Sequence, residues 1–155
     1  MASESTPTQY LTFTLNEEMF AINIHTVREI IQYAAMTVVP MTPDFVRGVI
    51  NLRGAVVPVI DLQSRFGRPK TTVGNKTCIV ILDASQLGEK IELGLMVDTV
   101  NEVIEIDSKD IEPAPQFGAS IKREFIRGMG KVKGEFIVIL APECALNIDD
   151  MALSL

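Results

Sequence analysis

Few side chains in this sequence are equipped for chemistry. His25 is the single histidine, and the two cysteines, Cys78 and Cys144, lie far apart in the chain. That set supplies no histidine-based metal cluster, and two distant thiols do not make one. A Ser/His/Asp relay can be composed from Ser64 or Ser85, His25 and Asp61 or Asp98, but no G-x-S-x-G elbow presents either serine. Asp61 and Asp98 each follow an apolar run, where a carboxylate serves as a turn or helix cap. Gly128, Gly130 and Gly134 are not spaced as G-x-G-x-x-G, and no G-x-x-x-x-G-K-[ST] string occurs, so nucleotide cradling is unsupported. Trp is absent and the two tyrosines are well separated, which leaves no stacking platform for single-stranded nucleic acid. The expectation is a protein that is not an enzyme and holds no metal and no cofactor. The rival, a small-molecule enzyme, requires Asp61, Asp98 and His25 to converge in one cleft.

The composition points the same way. The chain has 155 residues, 47% of them hydrophobic, and a net charge of −6. An acidic surface opposes phosphate backbones and anionic membranes alike, so neither nucleic acid nor direct membrane insertion is expected. One local exception runs from Lys122 to Lys133, where five cations accompany a single anion, Glu124. It reads either as a solvated loop face or as a docking patch for an acidic partner. The N-terminal residues are polar, with no apolar stretch of the kind that directs secretion, and residues 1–8 are expected to form a disordered tail. The longest apolar run, Phe136 to Ala141, is too short to span a bilayer. Two cysteines in apolar surroundings read as buried thiols of a reducing compartment. The expected location is the cytoplasm.

The elements that position these residues follow from an internal repeat. Phe20 to Ile31 (FAINIHTVREII) matches Leu93 to Ile104 (LGLMVDTVNEVI) at an offset of 73, with identities at Thr26/Thr99, Val27/Val100, Glu29/Glu102 and Ile31/Ile104. Phe45 to Gly54 (FVRGVINLRG) matches Phe125 to Gly134 (FIRGMGKVKG) at an offset of 80, with Arg53 answered by Lys133. Two blocks in the same order make a tandem duplication. In the first half, Leu11, Phe13 and Leu15, and then Phe20, Ile22 and Ile24, alternate as half-buried strands do, and in the second Cys78 to Leu82, Ile91 to Val97 and Val103 to Ile106 repeat the plan. Gly54 and Gly134 mark hairpins. Each half alone buries little surface, so the two units should share a core. The architecture expected is all-β: two small barrels back to back, one over about 9–75 and one over about 76–141. Helical turns are expected at Asp61–Phe66 and Ser108–Ile111, with a C-terminal helix over 142–155.

Two segments read as binding surface. Ala34 to Met41 (AAMTVVPM) is either a strand buried on both faces or an edge strand with Met36 and Val38 exposed to a partner. Glu112 to Phe117 (EPAPQF) is a stiff connection ending in an aromatic, which either plugs its own barrel or anchors an interface.

The strings FTLNEEMFAINIHTVREI from Phe13, PDFVRGVINLRGAVVPVIDLQSRFG from Pro43, GLMVDTVNEV from Gly94 and IEPAPQF from Ile111 resemble the CheW-like chemotaxis coupling proteins over nearly the whole chain. The resemblance implies a single CheW-like domain over residues 9–155, made of two five-stranded SH3-like or OB-like barrels. It implies a non-catalytic adaptor linking the regulatory domain of the histidine kinase CheA to the cytoplasmic tip of methyl-accepting chemotaxis receptors. Other copies of the coupling protein are implied as ring neighbours, with association to the membrane only through receptor arrays. By position, the receptor groove would include Ile24, Val27, Glu29 and Ile79. Arg53 would match the family's characteristic arginine and form a partly buried pair with Glu29. Kinase-binding residues would be Met36 and Val38 at the edge of the first barrel and Glu112 and Phe117 on the second, the latter two serving the other ring contact. Gly48, Gly54, Gly94 and Gly128 match structural glycines.

Overall fold

The computed structural model describes residues 7–83, 92–113 and 126–141, and among these described residues there are eleven strands. Strands β1 (Pro7–Leu15) and β2 (Glu18–Asn23) are joined by Asn16 and Glu17, both at positive φ. Strands β4 (Val46–Leu52) and β5 (Ala55–Asp61) turn through Arg53 and Gly54 in the same way. So do β10 (Ile126–Val132) and β11 (Glu135–Leu140) through Lys133 and Gly134. Two left-handed residues in a two-residue loop give the turn whose twist matches that of the flanking strands. The remaining strands are β3 (Val27–Gln32), β6 (Cys78–Asp83), β7 (Glu92–Val97), β8 (Thr99–Asp107) and β9 (Ile111–Glu112). One helical turn, α1 (Leu62–Arg65), is capped by Asp61 and followed by Gly67 at φ 84°, and 3-10 turns fill Ile24–Thr26 and Ser108–Asp110. Of the tail expected over 1–8, Pro7 and Thr8 instead begin β1, paired with Asp107 and Ile106 of β8; residues 1–6 and the helix expected over 142–155 lie outside the described residues.

The strands form two sheets, ordered β8-β1-β2-β11-β10-β9 and β3-β6-β7-β5-β4. Each curls until its ends meet. In the five-stranded sheet, Thr37, just beyond β3, exchanges hydrogen bonds of 2.9 and 2.8 Å with Val49 of β4. In the other, the chain leaving β8 returns as β9 and pairs with Met129 and Gly130 of β10. The two-residue β9 is the sixth strand beyond the expected five.

The boundary expected near residue 75 divides the repeats, but the sheets do not follow it. Hairpin β1–β2 of the first repeat sits between β8 and β11 of the second, while β6–β7 of the second sits between β3 and β5 of the first. The exchange is reciprocal, and each transferred hairpin makes one parallel contact with its host, β2 on β11 and β7 on β5. The identical Thr-Val-x-Glu strings, at 26–29 and 99–102, are both bulged. In the second, Thr12 Oγ1 fills the break, donating to Glu102 O at 2.8 Å and accepting from Glu102 N.

The transferred hairpins are what the cores are built from. Leu11, Phe13, Leu15, Phe20 and Ile22 pack against Val80, Leu82, Leu93, Leu95 and Val97 in a seam between the sheets. Ile79, Ile81 and Met96, pointing the other way, fill one barrel with Ile50, Val57 and Val59. Tyr10 and Ala21 fill the other with Ile106, Ile137 and Ile139. A strand that feeds a core on each face needs apolar residues at every position, which explains the unbroken run Cys78 to Leu82. Cys78, expected to be buried, is only half-buried at the edge of the seam, and Cys144 lies outside the described residues.

Both barrels close on a glycine. A Cβ at Gly48, whose φ is +155°, would stand 2.5 Å from Thr37 O, and one at Gly128 would stand 2.8 Å from Glu112 O. The closing strand can approach only because no side chain is there. At Gly54, φ +87°, nothing lies within 4 Å. Gly48→Ala should therefore cost about 1–3 kcal/mol more than the roughly 1 kcal/mol of backbone strain expected for Gly54→Ala. Urea denaturation of the two variants checks this; equal midpoints would mean the closure is not tight.

Candidate interaction site

On the five-stranded barrel, charged residues gather around the β4–β5 turn. Arg53, held left-handed at the turn, donates from Nη2 to Glu29 Oε2 on β3. Arg28 faces Glu92 at 3.4 Å and Asp83 at 3.7 Å. Of these, Arg28, Arg53 and Glu92 line an open concavity together with the apolar Leu52, Ala55, Val56, Val57 and Pro58. The hydrogen bond from Arg53 holds the Glu29 carboxyl below the usual carboxylate range, outweighing the partial desolvation that would raise it. The pair was expected to be partly buried; the Glu29 side chain is, at 30% exposed, whereas that of Arg53 is 65% exposed, because the turn projects it beyond the sheet. With Arg53 in water, the pair adds little stability and ties the β4–β5 turn to β3.

The other expected contact residues separate by depth. Ile24 and Val27 are half-buried against the seam, at the corner between β2 and β3. Ile79 has no exposed surface and belongs to the barrel interior, so in this fold it supports the β3–β6 wall and does not line it. Met36 likewise turns inward onto the Ile50 and Val57 core, with its Cγ close to Gly48. Val38 is 74% exposed and Met41 88%. The segment from Ala34 to Met41 is thus neither doubly buried nor a full edge strand: only Thr37 pairs, and after it Val38 and Met41 face solvent while Val39 is half-buried. Glu112 is exposed on β9, and Phe117 lies outside the described residues.

The residues a catalytic reading would need are not brought together. Asp61 is wholly buried and its oxygens accept from Gln63 N, Thr71 N, Thr71 Oγ1 and Arg47 Nη1 at 2.8–3.0 Å, with Ser64 N at 3.5 Å. A carboxylate so engaged ties α1, the loop at Thr71 and β4 together, and has no lone pair left for a substrate. Asp98 accepts from Asn16 N at 2.7 Å and so pins the β1–β2 turn. His25 stands on the separate corner after β2, where Asn23 Oδ1 caps its backbone N–H. Among the described residues there is no group of three or more potential metal ligands.

Sequence reasoning missed the Arg47–Asp61 pair at 3.0 Å. A signal existed: Arg47 recurs in the second repeat as Arg127, but the position matching Asp61 is Ala141. It also missed Ile30 and Val56, which are exposed where alternation assigns an outward face.

The family model for the CheW-like domain matches residues 9–149. The chemotaxis protein CheW of Klebsiella aerogenes is 33% identical over 153 residues, covering 99% of this chain and 90% of that protein. The CheW of Bacillus subtilis is 36% identical over 115 residues, covering 74% and 71%. The crystal structure of the scaffolding protein CheW from Thermoanaerobacter tengcongensis superposes with a TM-score of 0.77 at 38% identity, covering 88% of this chain and 85% of that one.

Because Glu29 has a lowered pKa in the fold, its contribution to stability is complete at neutral pH and fades as pH falls through that lowered value. Arg53→Ala should raise the Glu29 carboxyl toward its ordinary range, and Glu29→Gln should flatten this part of the acid limb of the stability curve. Carboxyl-detected NMR titration checks the first and urea unfolding against pH the second. An unmoved Glu29 titration in Arg53→Ala would contradict the pairing.

Proposed function

The chain belongs to the CheW-like domain family, the non-catalytic scaffolds of chemotaxis, and we propose that it couples the histidine kinase CheA, through its regulatory domain, to the cytoplasmic tips of methyl-accepting chemotaxis receptors. The observation that carries this reading is the presence of two distinct apolar surfaces on one interlocked frame. One is the corner of Ile24 and Val27, beside the Glu29–Arg53 pair. The other is the stretch of Val38 and Met41 outside the closing bridge at Thr37.

A helical receptor tip would lay apolar anchors against Ile24 and Val27, with Glu29 and Arg53 fixing its direction and Ile79 backing the wall from inside. The kinase regulatory domain would cover Val38, with Met36 holding that segment onto the barrel. A large apolar side chain left mostly in water, on a stretch anchored at one bridge, has the character of an interface anchor. Glu112 and Phe117 would serve a further contact, to a second kinase domain or another copy of the coupling protein in a ring. We place this work in the cytoplasm beside receptor arrays; among the described residues no helix is long and apolar enough to cross a membrane.

Two substitutions separate the faces. Val27→Asp should weaken binding of a receptor cytoplasmic fragment by about 1–3 kcal/mol while leaving the kinase regulatory domain bound; Val38→Asp should do the reverse. Calorimetric titration reads the affinities, and circular dichroism must show an unchanged melt. The reading fails if wild-type protein binds neither partner, or if both variants weaken both partners alike with the fold intact.

A further inference from the structure

The duplication permits a comparison within one molecule. Lys133 sits at the β10–β11 turn with φ 53°, as Arg53 sits at the β4–β5 turn with φ 54°. Phe136 occupies the position of Val56, and both are left in water, 54% and 70% exposed. In the first hairpin the cation is engaged by a carboxylate of its own barrel, Glu29. In the second, the matching acid is Glu102, and it forms no ion pair with Lys133. Lys131 adds a second cation, its Nζ 6.0 Å from the centre of the Phe136 ring, and among the described residues neither lysine has a carboxylate partner. The hairpin's own acid, Glu135, pairs across the turn with Val132 and so falls on the other face from Lys131 and Phe136; on a chain of net charge −6, the face that holds Phe136 is a small cationic area built around an exposed aromatic.

We infer that the β10–β11 hairpin, through Phe136, Lys131 and Lys133, is a docking face for an acidic segment of a partner protein that carries an apolar side chain beside its carboxylates. The chemistry is the one the first hairpin satisfies internally, a carboxylate on the turn cation, with the apolar neighbour still open. This face lies on the six-stranded barrel, apart from the Ile24–Val27 and Val38–Met41 surfaces and independent of what they bind; Glu112, on the neighbouring strand β9, stands opposite Met129 of β10 beside it. A protein segment fits better than a membrane or nucleic acid, because two lysines on an otherwise acidic chain give weak attraction to an extended anionic surface. The ring adds selectivity that charge alone lacks, since burying an aromatic next to a paired charge rewards an apolar neighbour.

The test uses the full chain, isotope-labelled for NMR, and a synthetic peptide of alternating Glu and Leu as the probe. Shifts should gather at residues 129–138, and binding should weaken steeply with salt. Phe136→Ala and the pair Lys131→Glu with Lys133→Glu should each weaken it about tenfold or more, with melting unchanged because these side chains are exposed. Val56→Ala should leave it intact, and a Glu-Gly peptide should bind more weakly. The proposal is overturned if the peptide does not bind, if its shifts lie elsewhere, or if the hairpin variants bind it normally. Preferential binding of phosphatidylserine vesicles or a DNA duplex at the hairpin would overturn it too.

Discussion

Neither repeat completes a barrel with its own first hairpin. The seam formed by Phe13, Phe20 and Leu15 against Leu82, Leu93 and Leu95 exists because β1–β2 and β6–β7 have traded places. Everything else depends on that trade. A hairpin standing between two hosts must be apolar on both faces, so its residues feed a barrel interior on one side and the seam on the other. The two barrels thereby lose their independence: removing either hairpin opens one barrel and uncovers the seam of both. For a protein whose work is to hold partners in a fixed arrangement, a frame that cannot hinge between its halves is a direct physical advantage.

The charges follow the same division of labour. Inside, Asp61 spends its full accepting capacity on backbone, hydroxyl and guanidinium donors, which makes it a brace for the chain after β5. Outside, Glu29, Arg28 and Arg53 form a screened surface array beside the apolar residues of the concavity. Ions of that kind add little stability and considerable directional preference, as the receptor contact proposed for this surface would require.

Much of this was legible beforehand, and the remainder was hidden for identifiable reasons. Alternation at Leu11, Phe13 and Leu15, the turn glycines Gly54 and Gly134, and the cap at Asp61 each have local causes and were readable. The exchange of hairpins was not, because periodicity says which face of a strand is apolar and says nothing of which sheet receives it. The run Cys78 to Leu82 is apolar at every position and fits either host. Gly48 and Gly128 were recognisable as backbone positions, but their reason, the close carbonyls of Thr37 and Glu112, is tertiary. Ile79 and Met36 were placed on the surface by position in the family, whereas their side chains point inward. The Glu29–Arg53 pair was anticipated, though the exposure of Arg53 was not, since burial at a turn depends on how far the loop projects.

The interlocked frame is tested most directly by producing residues 1–75 and 76–155 as separate chains. Each half alone should be unfolded, with exposed amides throughout its strands, and mixing should restore the native amide spectrum with one cooperative melt. A half that folds by itself into a closed barrel, or a mixture that melts in two independent steps, would contradict the account.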